Sequence, residues 1–276
     1  MAKKSIVWLA SYPKSGNTWA RIFLANYLLN RQTPMPINEI HRIGIGDAIA
    51  KTYAMVAGQR IDPRDVALSL KLRPKVLAGI VANDADLNLV KTHNIRSIAR
   101  GVELVPRPLT RSAVYIVRDP HDVVLSYARH FGLTPEETVT RLGHKDNAVA
   151  GDANNVTQFL GSWSDHALSW TKSPGFPVLV LRYEDLHAAP EREFARLVEH
   201  LGMPVEDERL ARAIRFSAFD EVSRQEATVP FIERSHTGER FFHTGTAGAG
   251  IAAISPALVE RIRTDHGKVM KQFGYL

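Results

Sequence analysis

The sequence predicts an α/β fold, with a doubly wound, central, mostly parallel sheet between layers of helix. Two patterns carry this. Short apolar runs of strand length alternate with longer runs of helical period along the chain. Four of the short runs then stop at polar residues with chemistry to offer, where α/β sheets bind ligands beyond the carboxyl ends of their strands.

Taken in order, Ile6-Val7-Trp8-Leu9-Ala10 is the first strand and Trp19–Leu29 the first helix, joined by a tight loop. Asn30–Pro36 is a loop with two prolines. Residues 38–82 are mixed and predict short helices around Pro63–Leu70 and Pro74–Ala82, with no strong strand. Leu87–Thr92 reads as a strand. Ala113–Arg118 is a continuous apolar run closed by Asp119-Pro120, the signal of a buried strand, and a helix follows from His121 to His130. Residues 132–156 are polar and rich in Gly and Asn, and predict a mobile loop around a short helix near Pro135–Leu142. A helix over Val156–Thr171, a strand over Val178–Tyr183, and helices from Pro190, over Glu206–Phe216 and over Pro256–Phe273 complete the order. No repeat, low-complexity tract or domain linker interrupts it.

The 276 residues suffice for one large α/β domain, and 45% hydrophobic content fits an ordinary core. With no cysteine, disulfides, thiolate chemistry and cysteine-based zinc sites are excluded, which is compatible with a reducing cytoplasm. A net charge of +6 suits an anionic ligand, a nucleic acid or an acidic membrane surface. The basic residues form no run of five or more, so most of the excess is read as solvated surface, with a few positions aimed at phosphate. The apolar stretch after Lys4 is too short for a signal-peptide core, and no stretch approaches the ~20 apolar residues of a membrane span. A cytoplasmic chain without a nucleic-acid partner is expected.

Three segments carry chemistry. Tyr12-Pro13-Lys14-Ser15-Gly16-Asn17-Thr18-Trp19 has the strand–loop–helix layout of a phosphate cradle: Gly16 allows a sharp bend, and the helix start and Lys14 favour an anion. It is not a Walker A motif, because its lysine precedes the glycine; an ordinary strand-to-helix turn is the competing reading. Lys91-Thr92-His93 puts a histidine at a strand end, where it can act as a general base or simply as a hydrogen-bonded surface group. Arg118-Asp119-Pro120-His121-Asp122-Val123-Val124-Leu125-Ser126-Tyr127 offers a guanidinium fork suited to phosphate and a hydroxyl two turns into the helix. Arg118 could equally pair with Asp119 or cap the sheet.

Taken together, these segments resemble the sulfotransferases that use 3′-phosphoadenosine 5′-phosphosulfate (PAPS), and the chain is similar to a bacterial relative of the cytosolic members. Pro13–Trp19 resembles their 5′-phosphosulfate loop, Lys91-Thr92-His93 their catalytic Lys-Thr-His, and Arg118–Tyr127 their 3′-phosphate motif. The resemblance implies a P-loop-like three-layer α/β/α domain over residues 1–276. It implies His93 as general base, Lys14 and Lys91 as charge-stabilising groups, and Ser126 as a group that holds Lys14 off the bridging oxygen until acceptor binds. Lys14, Ser15, Gly16, Asn17, Thr18 and Trp19 would hold the 5′ end of the donor, with Trp19 on the adenine. Arg118 and Ser126 would hold the 3′-phosphate. Tyr183, in Tyr183-Glu184-Asp185, and Ser217 and Phe219, in Ser217-Ala218-Phe219, would line the nucleoside.

One element departs from the family pattern. Where sulfotransferases carry a basic pair before a glycine, this chain has His243-Thr244-Gly245, so two cationic contacts are missing or come from elsewhere, with Arg240 or Arg234 as substitutes. The implied reaction is sulfuryl transfer from PAPS to a hydroxyl of a small molecule or glycan, with 3′-phosphoadenosine 5′-phosphate (PAP) as product and no metal. The polar content of residues 38–82, 131–156 and 225–245 points to a glycoside or glycopeptide acceptor. A catalytically impaired PAP binder and a nucleotide kinase with a degenerate loop are the rival readings.

Overall fold

The structure, a computed structural model, describes residues 5–85, 87–234, 240–243 and 245–276. Among these, the elements run β1 (Ile6–Ser11), α1 (Asn17–Leu29), a 3-10 turn (Ile37–Arg42), β2 (Ile45–Gly46), α2 (Ala50–Ala57), α3 (Val66–Val81), β3 (Asn88–Thr92), β4 (Ile98–Ala99) and β5 (Val102–Glu103). There follow β6 (Thr110–Val117), α4 (Pro120–Phe131), α5 (Pro135–Gly143), β7 (Ala148–Val149), β8 (Gln158–Phe159), α6 (Trp163–Thr171) and β9 (Val178–Arg182). The chain ends with α7 (Tyr183–Ala188), α8 (Pro190–His200), α9 (Asp207–Ser217), α10 (Phe219–Thr228), α11 (Gly250–Ala253) and α12 (Pro256–Gln272). The central sheet has the order β2-β3-β1-β6-β9, and β3 pairs in parallel with both β1 and β2. All six residues of β1 are buried, which is why Ile6–Ala10 is unbroken by polar residues.

The chain divides into two compact units. One comprises Met1–Tyr12, Ile45–Tyr115 and His144–Val180; the other comprises Pro13–Gly44, Ile116–Gly143 and Leu181–Leu276. The first unit is built on aromatic packing. Trp8 meets Trp170 edge-on, Tyr115 stacks on Trp170, and the Trp8 indole N–H donates to Thr110 Oγ1 at 3.0 Å. In the second unit Phe23 of α1 stacks on Phe194 of α8 with ring centres 3.9 Å apart. A cluster of Ile22, Ala25, Met35, Ile37, Ile40, Val222 and Phe231 closes the other side of α1.

Several segments differ from expectation. The two short helices foreseen around Pro63–Leu70 and Pro74–Ala82 are one helix, α3, that passes through Pro74. Pro74 lies on the exposed side of the helix, while Leu70, Arg73, Val76, Leu77 and Ile80 keep a continuous buried stripe. The helix foreseen from Val156 begins only at Trp163. Gln158-Phe159 pairs with Ala148-Val149, Gly161 takes φ +67°, and Ser162 caps α6 by accepting from the Asp165 N–H. Residues 45–46 also form a minimal edge strand where none was foreseen, opposite Val90 and Lys91.

Candidate active site

The foreseen residues fall in both units, and each group is described within its own unit. In the second unit, the loop after β1 leads into α1 through two left-handed residues, Lys14 at φ 69° and Gly16 at φ 101°. Gly16 is the N-cap, and no side chain caps the helix. Ser15 Oγ is completely buried and has no hydrogen-bond partner. Asn17 and Thr18 are buried in the first turn, and Thr18 Oγ1 donates to Glu233 at 3.4 Å. Glu233 is held in turn by both amino groups of Arg21, at 3.1 and 2.8 Å. Trp19 is half-buried and packs against Tyr183, His187 and Phe194. The Lys14 ammonium lies over the Phe241 ring, 3.8 Å from its centre.

Arg118, just past β6, ties this loop to two others. Its amino groups donate to the Lys14 carbonyl at 3.3 Å, to the Thr246 carbonyl at 3.0 Å and to Asp122 at 3.4 Å, while its Nε is buried with no partner. Its guanidinium lies 4.1 Å from the centre of the Tyr183 ring. Burial raises the Tyr183 hydroxyl above its ordinary pKa, so the ring acts as a neutral wall. Asp119 caps α4 by accepting from the His121 N–H, and its own N–H donates to Glu184, whose other oxygen accepts from Tyr275. Ser126 is half-buried one turn beyond Asp122, on the same face of α4.

The remaining foreseen residues are spread more widely. The Phe219 ring lies against Gly245, where a Cβ would sit 2.2 Å from the ring. Ser217 is buried, and its hydroxyl donates to the Ile214 carbonyl of its own helix. His243 Nδ1 accepts from Arg129 of α4 at 3.1 Å. Thr244 lies outside the described residues. Arg234 and Arg240 are exposed, and the arginine found beside His243 is Arg129, a position that no motif singled out. Asp122 also escaped notice as a functional residue, although its spacing of four from Arg118 was a signal.

In the first unit, Lys91 and His93 stand at the end of β3, both half-buried. His93 Nδ1 is 2.8 Å from the Ser11 carbonyl, with Ser11 Oγ at 3.3 Å. A carbonyl only accepts, so Nδ1 carries the proton, and in the neutral ring Nε2 keeps the lone pair. The residues on either side of His93 are pinned by Asp47, which is 1% exposed. Its carboxylate accepts from Thr92 Oγ1 at 2.8 Å, Asn94 Nδ2 at 3.0 Å and Arg73 at 2.6 Å. Burial opposes the charge on Arg73, and the adjoining Asp47 and Tyr53 together more than offset it, raising the arginine's pKa. No motif revealed Asp47, Arg73 or Asn94, because their chain separation hides the network.

The arrangement therefore offers an anion cradle in one unit and an oriented imidazole in the other. Among the described residues, no three His, Cys, Asp or Glu side chains are grouped to hold a metal, and no helix is long and apolar enough to cross a membrane.

A family model described as "Sulfotransferase domain" matches residues 4–274, and the chain belongs to that family. Rat sulfotransferase 1A1 is 27% identical over 272 residues, covering 95% of this chain and 83% of the relative. Mouse sulfotransferase 1 family member D1 is 24% identical, covering 98% and 85%. The fold is shared with retinol dehydratase in complex with androsterone and the inactive cofactor PAP. That match has a TM-score of 0.66 and 18% identity, over 98% of this chain and 81% of the other. Mouse sulfotransferase SULT7A1 complexed with PAP gives a TM-score of 0.61 at 20% identity, over 98% and 86%.

Proposed function

We propose that this chain is a single-domain, cytoplasmic, PAPS-dependent sulfotransferase. It moves a sulfuryl group to a hydroxyl of a small-molecule or glycan acceptor, with His93 as general base. The observation that carries the reading is the His93 ring, whose Nδ1–H is committed to the Ser11 carbonyl so that Nε2 is the nitrogen able to take a proton. The donor's fit is supported by the two buried polar atoms without partners, Ser15 Oγ and Arg118 Nε, and by the uncapped start of α1. PAPS supplies the activated sulfuryl group, transferred from phosphate oxygen to acceptor oxygen, and PAP is released.

The chain's residues divide that work. Lys14 and the backbone of Ser15, Gly16, Asn17 and Thr18 bind and neutralise the 5′-phosphate as it gains charge. Arg118 and Ser126 bind the 3′-phosphate, and His243, Thr244 and Gly245 are assigned to the same donor by the family resemblance. Tyr183, Trp19, Ser217 and Phe219 enclose the nucleoside. His93 Nε2 accepts the hydroxyl proton, and Lys91 steadies the sulfuryl oxygens. Androsterone and retinol, named with the two structures of retinol dehydratase, support acceptors of small-molecule size.

The test is transfer from labelled PAPS to a panel of hydroxylated acceptors in the presence of EDTA, paired with PAP calorimetry. Wild type is expected to transfer. His93→Ala is expected to lose about 100-fold or more in kcat while PAP affinity holds within about threefold. Turnover near the wild-type rate in that variant removes His93 from the base role, and absence of PAP affinity in the wild type removes the donor assignment.

A further inference from the structure

The first unit buries a second histidine that the reaction does not use. His166, on α6, has none of its surface exposed, and its two ring nitrogens face different partners. Nε2 lies 3.1 Å from the carbonyl of His93. That carbonyl can only accept, so Nε2 carries the hydrogen and donates. Nδ1 is then the lone-pair nitrogen, and the Tyr115 hydroxyl, 2.9 Å away, donates to it.

The direction of both bonds is locked. Tyr115, on β6, is also fully buried, and the rings of Tyr12 and Tyr115 hold the imidazole between them, centres 5.4 and 5.7 Å away. Burial pushes the His166 ring down to about 4 and the Tyr115 hydroxyl well above its ordinary value, so both are neutral in the working range of pH. Burying two polar rings in an aromatic core is costly unless each group is matched, and two phenylalanines would fill the same space with nothing to match. The polar atoms are matched, and the last of them acts on the backbone of the proposed base.

The surroundings complete that hold. Asp47 fixes Thr92 and Asn94, and the Trp170 indole donates to the Asn94 carbonyl at 3.1 Å. His166 supplies the bond to the residue between them. His93 is thereby restrained at its carbonyl by His166 and at its ring by Ser11.

We propose that His166 and Tyr115 are positioning residues for His93: the hydrogen-bonded pair fixes the His93 backbone so that its Nδ1–H meets the Ser11 carbonyl and Nε2 is presented for proton transfer. This rests on the reading of His93 as general base.

The test uses the full chain with ¹⁵N-labelled histidine, in four forms: wild type, His166→Leu, His166→Gln and Tyr115→Phe. Glutamine keeps an N–H able to reach the same carbonyl; leucine does not. In wild type the His93 ring is expected as a single Nδ1–H tautomer. In His166→Leu it becomes a mixture, and kcat falls about tenfold to a hundredfold while acceptor KM and PAP affinity stay within about threefold. His166→Gln restores a large part of kcat and the single tautomer; Tyr115→Phe falls between. An unchanged His93 tautomer with unchanged kcat in His166→Leu overturns the proposal. Should that variant fail to fold, the same two results in Tyr115→Phe, which loses one oxygen, overturn it. If His93→Ala keeps its turnover while the His93 tautomer still responds to His166, the base assignment falls and the positioning stands.

Discussion

Gly16 shows how one residue serves both backbone and packing. Its φ of 101° is a conformation that residues with a Cβ rarely adopt, and a Cβ placed there would lie 2.7 Å from Tyr183 Cδ2. The Tyr183 ring in turn carries the Arg118 guanidinium. The glycine thus lets the loop before α1 lie against the aromatic ring over which the Arg118 guanidinium is packed. Gly16→Ala is expected to cost about 1–3 kcal/mol of stability from the strained φ alone, before the clash with Tyr183. Adding Tyr183→Ala relieves the clash and not the φ, so the double variant recovers part of the loss. Urea denaturation of the two variants measures this, and wild-type stability in Gly16→Ala would refute it. The need for glycine was legible in the sequence as a sharp bend; that its neighbour is Tyr183, 167 positions away by the numbering, was not.

At the scale of elements, α4 organises the candidate residues of the second unit. Its Asp122 accepts from the N–H groups of Gly248 and Gly250, at 2.8 and 2.6 Å, as well as from Arg118. Gly250 opens α11 and lies so close to the first turn of α4 that a Cβ would be 2.3 Å from the His121 carbonyl carbon. A single carboxylate therefore holds the Gly248–Gly250 segment and the arginine together. Asp122 is 3% exposed and Arg118 11%, so removing the acid strands a nearly buried cation and two N–H groups. Asp122→Ala should destabilise the protein by about 3–5 kcal/mol, with Asp122→Asn losing less because one acceptor oxygen remains. Equal melting curves for Asp122→Ala and wild type would show that the carboxylate does not hold the segment. The helix α4 itself was plain from Asp119-Pro120 and the apolar run behind it. The partners of its Asp122 were not, since nothing around Gly248 announces a turn toward a distant acid. The passage of α3 through Pro74 was hidden for a different reason: a proline reads as a break until the burial of its neighbours shows that it faces water.

At the scale of the whole chain, the longer strands of the central sheet were legible because a sheet buried on both faces demands continuous apolar runs, as in Ile6–Ala10 of β1 and Ala113–Val117 of β6. The polar interior was not, since Asp47 with Arg73 and Tyr115 with His166 are joined only by folding. Those buried groups make stability depend on pH. The His166 ring titrates at about 4 in the folded chain, because burial disfavours its charge, against an ordinary value near 6.5. Between those values the unfolded chain binds a proton that the folded chain refuses, so this group's stabilisation is full above pH 6.5 and drains away as pH falls toward 4. The full loss is on the order of 3 kcal/mol. His187, lowered by its own burial and by Arg118, adds to it with the same sign. Glu184 works the other way: burial raises its carboxyl, so acid favours the folded form through that group, near and above its ordinary value of 4.5. The net slope mixes all three, and the difference between wild type and His166→Gln isolates the first. In urea denaturation from pH 8 to pH 4.5, wild type is expected to lose stability steadily below pH 6.5, and His166→Gln, which cannot titrate there, to lose distinctly less. Parallel curves for the two proteins would mean that His166 takes up its proton without unfolding the chain.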